Sequence, residues 1–147
     1  MEYNPYTLSG KTILVTGASS GIGQRTAIEC SKLGARLVVT GRNEDRLART
    51  CSMLANEDHM MFVADLDDEG SVASLVAAVP QLDGVSCNAG IGVGSKPVLF
   101  YKTKDLDRIF RTNTFSSTLL VKTLVKKKKL NNPSSIVLTS SIEGNFV

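Results

Sequence analysis

No run in this chain approaches the roughly 18 consecutive apolar residues that a membrane-spanning helix needs. The first residues, Met1-Glu2-Tyr3-Asn4-Pro5-Tyr6, carry neither the basic nor the apolar stretch of a secretory signal. Cysteine is scarce: Cys30, Cys51 and Cys87 are odd in number, widely spaced, and form no Cys-x-x-Cys. That pattern argues against a disulfide or zinc framework and for reduced thiols in a cytoplasmic protein. The single histidine, His59, opens an apolar run and reads as a strand-end residue rather than a metal ligand. Charge of one sign is also in short supply, since the net charge is only +3. The one dense basic patch, Lys126-Lys127-Lys128-Lys129, has no aromatic or arginine stripe beside it. It reads as the solvated end of a helix, where cations meet the negative end of the dipole. Neither nucleic acid nor membrane is an expected partner. No internal repeat is present.

What is there suffices for one domain with a real core: 147 residues, 42% apolar and 21% charged. Apolar runs alternate with helical patterns. Strands are expected over residues 12–15, 36–40, 60–64, 84–87 and 136–139. A first helix over 22–33 stops at Gly34, a residue free to turn left-handed. A second opens at Asn43 as cap, with Leu47, Cys51 and Leu54 as one buried stripe. Val72, Leu75, Val76 and Val79 mark a third, which Pro80 ends. Gly90, Gly92, Gly94 and Pro97 mark a loop. A long helix is expected over 104–129, with Asn131-Asn132-Pro133 breaking it. Strands separated by helices imply parallel pairing and right-handed crossovers. The expected fold is α/β, a doubly wound sheet in strand order 3-2-1-4-5. On such a sheet ligands sit at the carboxyl ends of the strands, between strands 1 and 4.

The most informative segment lies at that place. Thr16-Gly17-Ala18-Ser19-Ser20-Gly21-Ile22-Gly23 joins the first strand to the first helix. A strand turning through glycines into a helix aims free N–H groups and a positive dipole end at one spot, which suits a phosphate. Gly17 turns where a side chain would clash, Gly21 lets backbone approach a diphosphate, and Gly23 lets helix and strand pack closely. The string resembles the first turn of the short-chain dehydrogenase/reductase family, T-G-x-x-x-G-I-G. Later motifs recur in order along essentially the whole chain. The resemblance implies a Rossmann-like dinucleotide-binding domain over residues 1–147, matching the front part of such an enzyme and incomplete at the C-terminus. It implies that Gly17, Ser19, Ser20, Gly21, Ile22 and Gly23 cradle the cofactor's diphosphate. Extended epimerase/dehydratase relatives space these glycines two and two and favour an acid after the second strand, unlike this chain.

The end of the second strand bears on cofactor choice. Enzymes using the unphosphorylated cofactor place Asp or Glu there to accept from the ribose hydroxyls. Here the residues are Gly41 and Arg42. Glycine leaves room for a 2′-phosphate and arginine offers a forked donor. NADP(H) is therefore expected over NAD(H). Asp65, followed by Leu66, resembles the family's acid after the third strand, which implies that its carboxylate accepts from the adenine amino group while the backbone lines the adenine pocket. A helix-capping role for Asp65 is the alternative, with Asp67 or Asp68 able to cap instead. Cys87-Asn88-Ala89-Gly90 resembles the family's N-N-A-G. Asn88, Ala89 and Gly90 would flank the nicotinamide, with Asn88 tying the central strands together. Cys87 stands where the family has asparagine and reads as a small buried group rather than a nucleophile.

The family's tetrad is Asn, Ser, Tyr and Lys. Ser141 matches the serine that polarises the substrate's carbonyl oxygen, and Asn113 matches the asparagine that holds a water in the proton relay. The structural alternatives are a strand-end or capping hydroxyl for Ser141 and a solvated helix face for Asn113. The chain holds only Tyr3, Tyr6 and Tyr101, and the residues four places on are Thr7, Gly10 and Asp105. The Tyr-x-x-x-Lys pair is therefore absent, and the resemblance implies that it lies past Val147. The expectation is a fragment of a reductase acting on a small carbonyl or alcohol, with a 3-oxoacyl thioester favoured and a homodimer or homotetramer as the assembly. A protein that binds NADP(H) without turnover is the competing expectation.

Overall fold

A computed structural model describes residues 4–92, 94 and 97–141. Strands β1 (Thr12–Thr16), β2 (Arg36–Gly41), β3 (Met60–Val63), β4 (Leu82–Cys87) and β5 (Leu130–Leu138) form one parallel sheet. Its order is β3-β2-β1-β4-β5, so the doubly wound α/β expectation holds. In register, Leu14 stands beside Val38 and Val85, while Val15 stands beside Val39 and Ser86. Alternation then sends the two sets to opposite faces. Leu14, Val38 and Val85 pack with Leu75 and Val76 of α3 (Glu69–Ala78) and Leu120 and Leu124 of α5 (Ser116–Lys126). Val15, Leu37 and Val39 pack with Ala27 of α1 (Gly21–Lys32) and Leu47 of α2 (Glu44–Cys51).

Local signals place the helix ends. Asn43 accepts the Arg46 N–H at 2.9 Å and Asp68 accepts the Ser71 N–H at 2.6 Å, which caps α2 and α3. Gly34, at φ +93°, takes the left-handed turn after α1. His59 sits before β3 and is half-buried: Leu37 N–H donates to its Nδ1 at 3.1 Å, and its Nε2 lies 2.7 Å from the Ala55 carbonyl. One lysine of the basic run does more than meet solvent. Lys129 Nζ donates to the carbonyls of Val79 at 2.7 Å and Ala77 at 3.2 Å, closing the end of α3.

Two expectations need correction. The long helix over 104–129 is not uniform: α4 (Thr103–Phe110) widens into a π turn (Arg111–Phe115) before α5, which ends at Lys126. The fifth strand begins at Leu130 rather than Ile136, so Asn131, Asn132 and Pro133 lie inside it. The β4–β5 pairing jumps from Leu82/Leu130 to Gly84/Ser135, an irregularity that absorbs the extra residues. Proline is tolerated here because, among the described residues, β5 is an edge strand. Val93, Ser95 and Lys96 of the glycine-rich loop lie outside the described residues.

Candidate functional site

The first β-to-α turn is dictated by contacts at its glycines. Gly17 has φ +62°, and a Cβ there would sit 2.9 Å from the Asn88 and Ala89 backbone. A Cβ on Gly23 would overlap the Gly17 carbonyl oxygen and lie 2.8 Å from that of Thr16. Both glycines are thus demanded by close packing of backbone on backbone. Gly21 differs: its φ is +56° and a Cβ would meet nothing within 4 Å. The space in front of it is open groove. An open backbone concavity leading into α1, lined by glycine and by Ser19 and Ser20, suits a diphosphate. The residues present therefore fit the dinucleotide that the sequence implies.

At the next strand exit, Gly41 ends β2 and Arg42 follows, exposed to solvent. A Cβ on Gly41 would come within 2.8 Å of Leu47 Cδ1, and Leu47 is fully buried. A larger residue at this position would have to displace that leucine methyl, and the sequence places no carboxylate here. Past β3, Asp65 is exposed; its Oδ1 accepts the Asp67 N–H at 3.1 Å, and its own N–H donates to Ser71 Oγ at 3.0 Å. Asp68, not Asp65, caps α3. Leu66 is buried beside it.

At the fourth exit a buried threonine organises the loop. Thr16 Oγ1 accepts the N–H groups of Asn88 at 3.0 Å and Ala89 at 3.1 Å. Asn88 Nδ2 donates to the Ser86 carbonyl and its Oδ1 accepts from Thr139 Oγ1 at 2.7 Å. One asparagine therefore links β4 to the residue after β5, while its main chain is held by the last residue of β1. Asn113 lies in the π turn with an exposed side chain, paired twice to one residue: its Nδ2 donates to the Ile91 carbonyl at 3.0 Å and its Oδ1 accepts the Ile91 N–H at 2.8 Å. Cys87 is buried, and burial pushes its thiol pKa up, with a Ser117 hydrogen bond acting in the opposite sense. A thiol held protonated is a poor nucleophile.

These exits enclose a groove of about 400 Å³. It gathers Gly17, Ser19, Ser20, Gly21, Ile22, Gly23, Arg42, Asp65, Leu66, Asn88, Ala89 and Gly90, every residue expected to bind cofactor. The two expected catalytic residues do not line it. Asn113 touches its end through Gly90, where a Cβ would lie 3.4 Å from the asparagine Oδ1. Ser141 is exposed, a little past β5 on the same edge of the sheet. Sequence reasoning missed Arg46, Asp67, Thr112 and Ser116, which also line the groove. Thr112 Oγ1 donates to Asp67 Oδ2 at 2.6 Å, which fastens the π turn to the β3–α3 loop. Arg46 carried a legible signal, being one helical turn beyond Arg42. The Asp67–Thr112 pair, separated by 45 positions, carried none.

A parallel sheet with its glycine turn at the switch point and a polar groove across the strand exits is a Rossmann-like α/β fold. Comparison with known proteins narrows the class. The short chain dehydrogenase family pattern matches residues 11–147, and the chain belongs to that family. A 3-oxoacyl-[acyl-carrier-protein] reductase, FabG, from Rickettsia felis is 32% identical over 137 residues, covering 93% of this chain and 56% of the relative. The chain thus spans a little over half the length of the FabG relatives it matches. Among solved structures, the oxidoreductase YciK from Escherichia coli superposes with a TM-score of 0.84 at 28% identity, covering 99% of this chain and 64% of that one. A short chain dehydrogenase from Shigella flexneri gives 0.87 at 29% identity, covering 98% and 61%.

Proposed function

We propose that residues 1–147 form a single dinucleotide-binding domain, the cofactor-binding portion of an NADP(H)-dependent short-chain reductase. The observation that carries this reading is the continuous groove from the glycine turn, past Gly41 and Arg42, to Asn88, Ala89 and Gly90. When bound, the dinucleotide supplies the hydride that reduces a carbonyl carbon, or takes it back from an alcohol. The chain's residues bind and orient it. The α1 amides behind Gly21 hold the diphosphate, Arg42 meets the 2′-phosphate, and Asp65 and Leu66 receive the adenine. Asn88, Ala89 and Gly90 bound the nicotinamide end. Ser141 polarises the substrate oxygen. Asn113 orders water; its side-chain amide is paired with Ile91, so the main-chain carbonyl of the widened turn is assigned that task.

A small carbonyl or alcohol is the proposed substrate class, with a 3-oxoacyl thioester favoured by the FabG relatives. A homodimer or homotetramer in the cytoplasm is the proposed setting. Exposed Phe110 and Phe115, on α4 and the π turn, support assembly. No helix among the described residues is long and apolar enough to cross a membrane.

Fluorescence titration with NADPH and NADH tests the cofactor assignment on the wild type and on Arg42→Ala. The expected result is tighter binding of NADPH, with the preference reduced by about tenfold in the variant, the worth of one charge-assisted hydrogen-bond pair. Equal wild-type affinities would defeat the assignment.

A further inference from the structure

The groove wall between the glycine turn and α2 carries two guanidinium groups, and neither is engaged by a carboxylate among the described residues. Arg42 and Arg46 both line the hollow beside Ser19, Ser20 and Gly41. Among the described residues no ion pair holds either one, whereas Arg25 and Arg36 find carboxylates at 3.0 and 3.2 Å. The acids of α2's first turn, Glu44 and Asp45, are exposed and do not line the groove. The groove's own carboxylates stand past β3, each with one oxygen already accepting a hydrogen bond.

Arg46 is also well placed by its backbone. Its N–H is held by the Asn43 cap at 2.9 Å. Thr50 Oγ1 lies 3.1 Å from the Arg46 carbonyl and 2.8 Å from the Ala18 carbonyl in the glycine turn. Thr50, near the end of α2, thereby fastens the helix to the loop assigned to the diphosphate, which sets the backbone position of Arg46 relative to it.

We infer that Arg46 is the second arm of the 2′-phosphate subsite, closing with Arg42 on a phosphomonoester and acting as a specificity-determining residue for the phosphorylated cofactor. The inference rests on the NADP(H) reading above and adds a residue to it. A phosphomonoester carries nearly two negative charges and three acceptor oxygens. One guanidinium pairs with two of those oxygens, which leaves charge and an acceptor for a second. A free ribose hydroxyl carries no charge and only one neutral acceptor oxygen, so Arg46 favours the phosphorylated nucleotide.

Calorimetric titration of the whole chain with adenosine 2′,5′-bisphosphate and with adenosine 5′-monophosphate tests this on the wild type, Arg46→Gln and Arg42→Gln. Arg46→Gln should weaken the bisphosphate by about tenfold and leave the monophosphate unmoved. Arg46→Lys, which keeps the charge and loses the fork, should recover part of the loss. If Arg46→Gln moves neither ligand, or weakens both equally, the inference is overturned while Arg42→Gln can still uphold the cofactor preference. A wild type that binds both ligands equally overturns the preference and this inference together.

Discussion

β1 and β5 belong to one sheet, yet they live in different surroundings. Leu14, Val15 and Thr16 at the centre are fully buried, whereas Ile136, Val137 and Leu138 at the edge remain 39%, 55% and 63% exposed. The helices follow suit. α1 and α2 bury Ala27 and Leu47, while α4 buries none of its residues and leaves Leu106 and Phe110 exposed. Hydrophobic patterning says which side chains avoid water, and packing decides which of them succeed. The groove is built on the covered region, where strand exits are held by short contacts between backbones. The uncovered region contributes the π turn and Asn113, which hydrogen bonds from Thr112 to Asp67 and from Asn113 to Ile91 tie to the groove.

The largest expected effect comes from breaking the covered region at its tightest point. Gly17→Ala combines a left-handed φ with overlap on the Asn88–Ala89 backbone and should cost about 3–5 kcal/mol in urea unfolding. Gly21→Ala has the same φ problem and open space, and should cost about 1–2 kcal/mol. Equal losses would show that the close approach is not what fixes the turn. Next comes a direct contrast of the regions. Leu47→Ala, at a fully buried position, should lose about 2–5 kcal/mol. Val137→Ser, on the exposed edge, should stay within about 0.5 kcal/mol, and a loss matching that of Leu47→Ala would mean the edge is covered in solution.

Thr16→Val keeps the shape and leaves the Asn88 and Ala89 N–H groups without their acceptor. A loss of about 1–3 kcal/mol is expected, with amide exchange at both residues accelerated. A small, pH-dependent effect is expected at Asp83, at the opposite edge of the sheet. Thr12 N–H donates to its carboxylate at 2.8 Å, Asn131 Nδ2 at 3.0 Å, and Lys11 lies 3.7 Å away. Chiefly the Thr12 bond, then the Asn131 bond, and more weakly the Lys11 charge, hold its pKa below the usual carboxylate range. A lowered folded pKa means that its stabilisation is complete above the unfolded value of about 4 and fades as pH falls through the folded value. Wild type should exceed Asp83→Asn by less than about 1 kcal/mol at neutral pH, converging with it in acid. A gap that persists unchanged at about pH 2 would assign the effect to something other than the charge.

The two regions also differ in how far the sequence foretold them. Around β1–β3 the signals are local: a glycine turn, the Asn43 cap and the Gly34 stop lie next to what they control. The groove-lining residues expected at the strand exits were legible for the same reason, each lying within a few residues of a strand end or at the start of α1. In the other region the deciding contacts are distant. The helix widens at Arg111–Phe115, where Thr112 bonds Asp67 and Asn113 bonds Ile91, and no run of neighbouring residues announces either pair. Asn131-Asn132-Pro133 has the composition of a breaker. It lies in a strand instead, with the Asn131 amide bonded to Asp83 at a distance of 48 positions.

The proposed seat of the dinucleotide is the groove at the strand exits. Its most direct test is to titrate isotope-labelled protein with NADPH while following backbone amide resonances. Amides of residues 17–23, 42, 65–66 and 88–90 should shift along one saturation curve, while those of Lys11, Asp83 and Asn131 at the far edge stay still. Shifts gathered at the far edge, or none at saturating nucleotide, would contradict it.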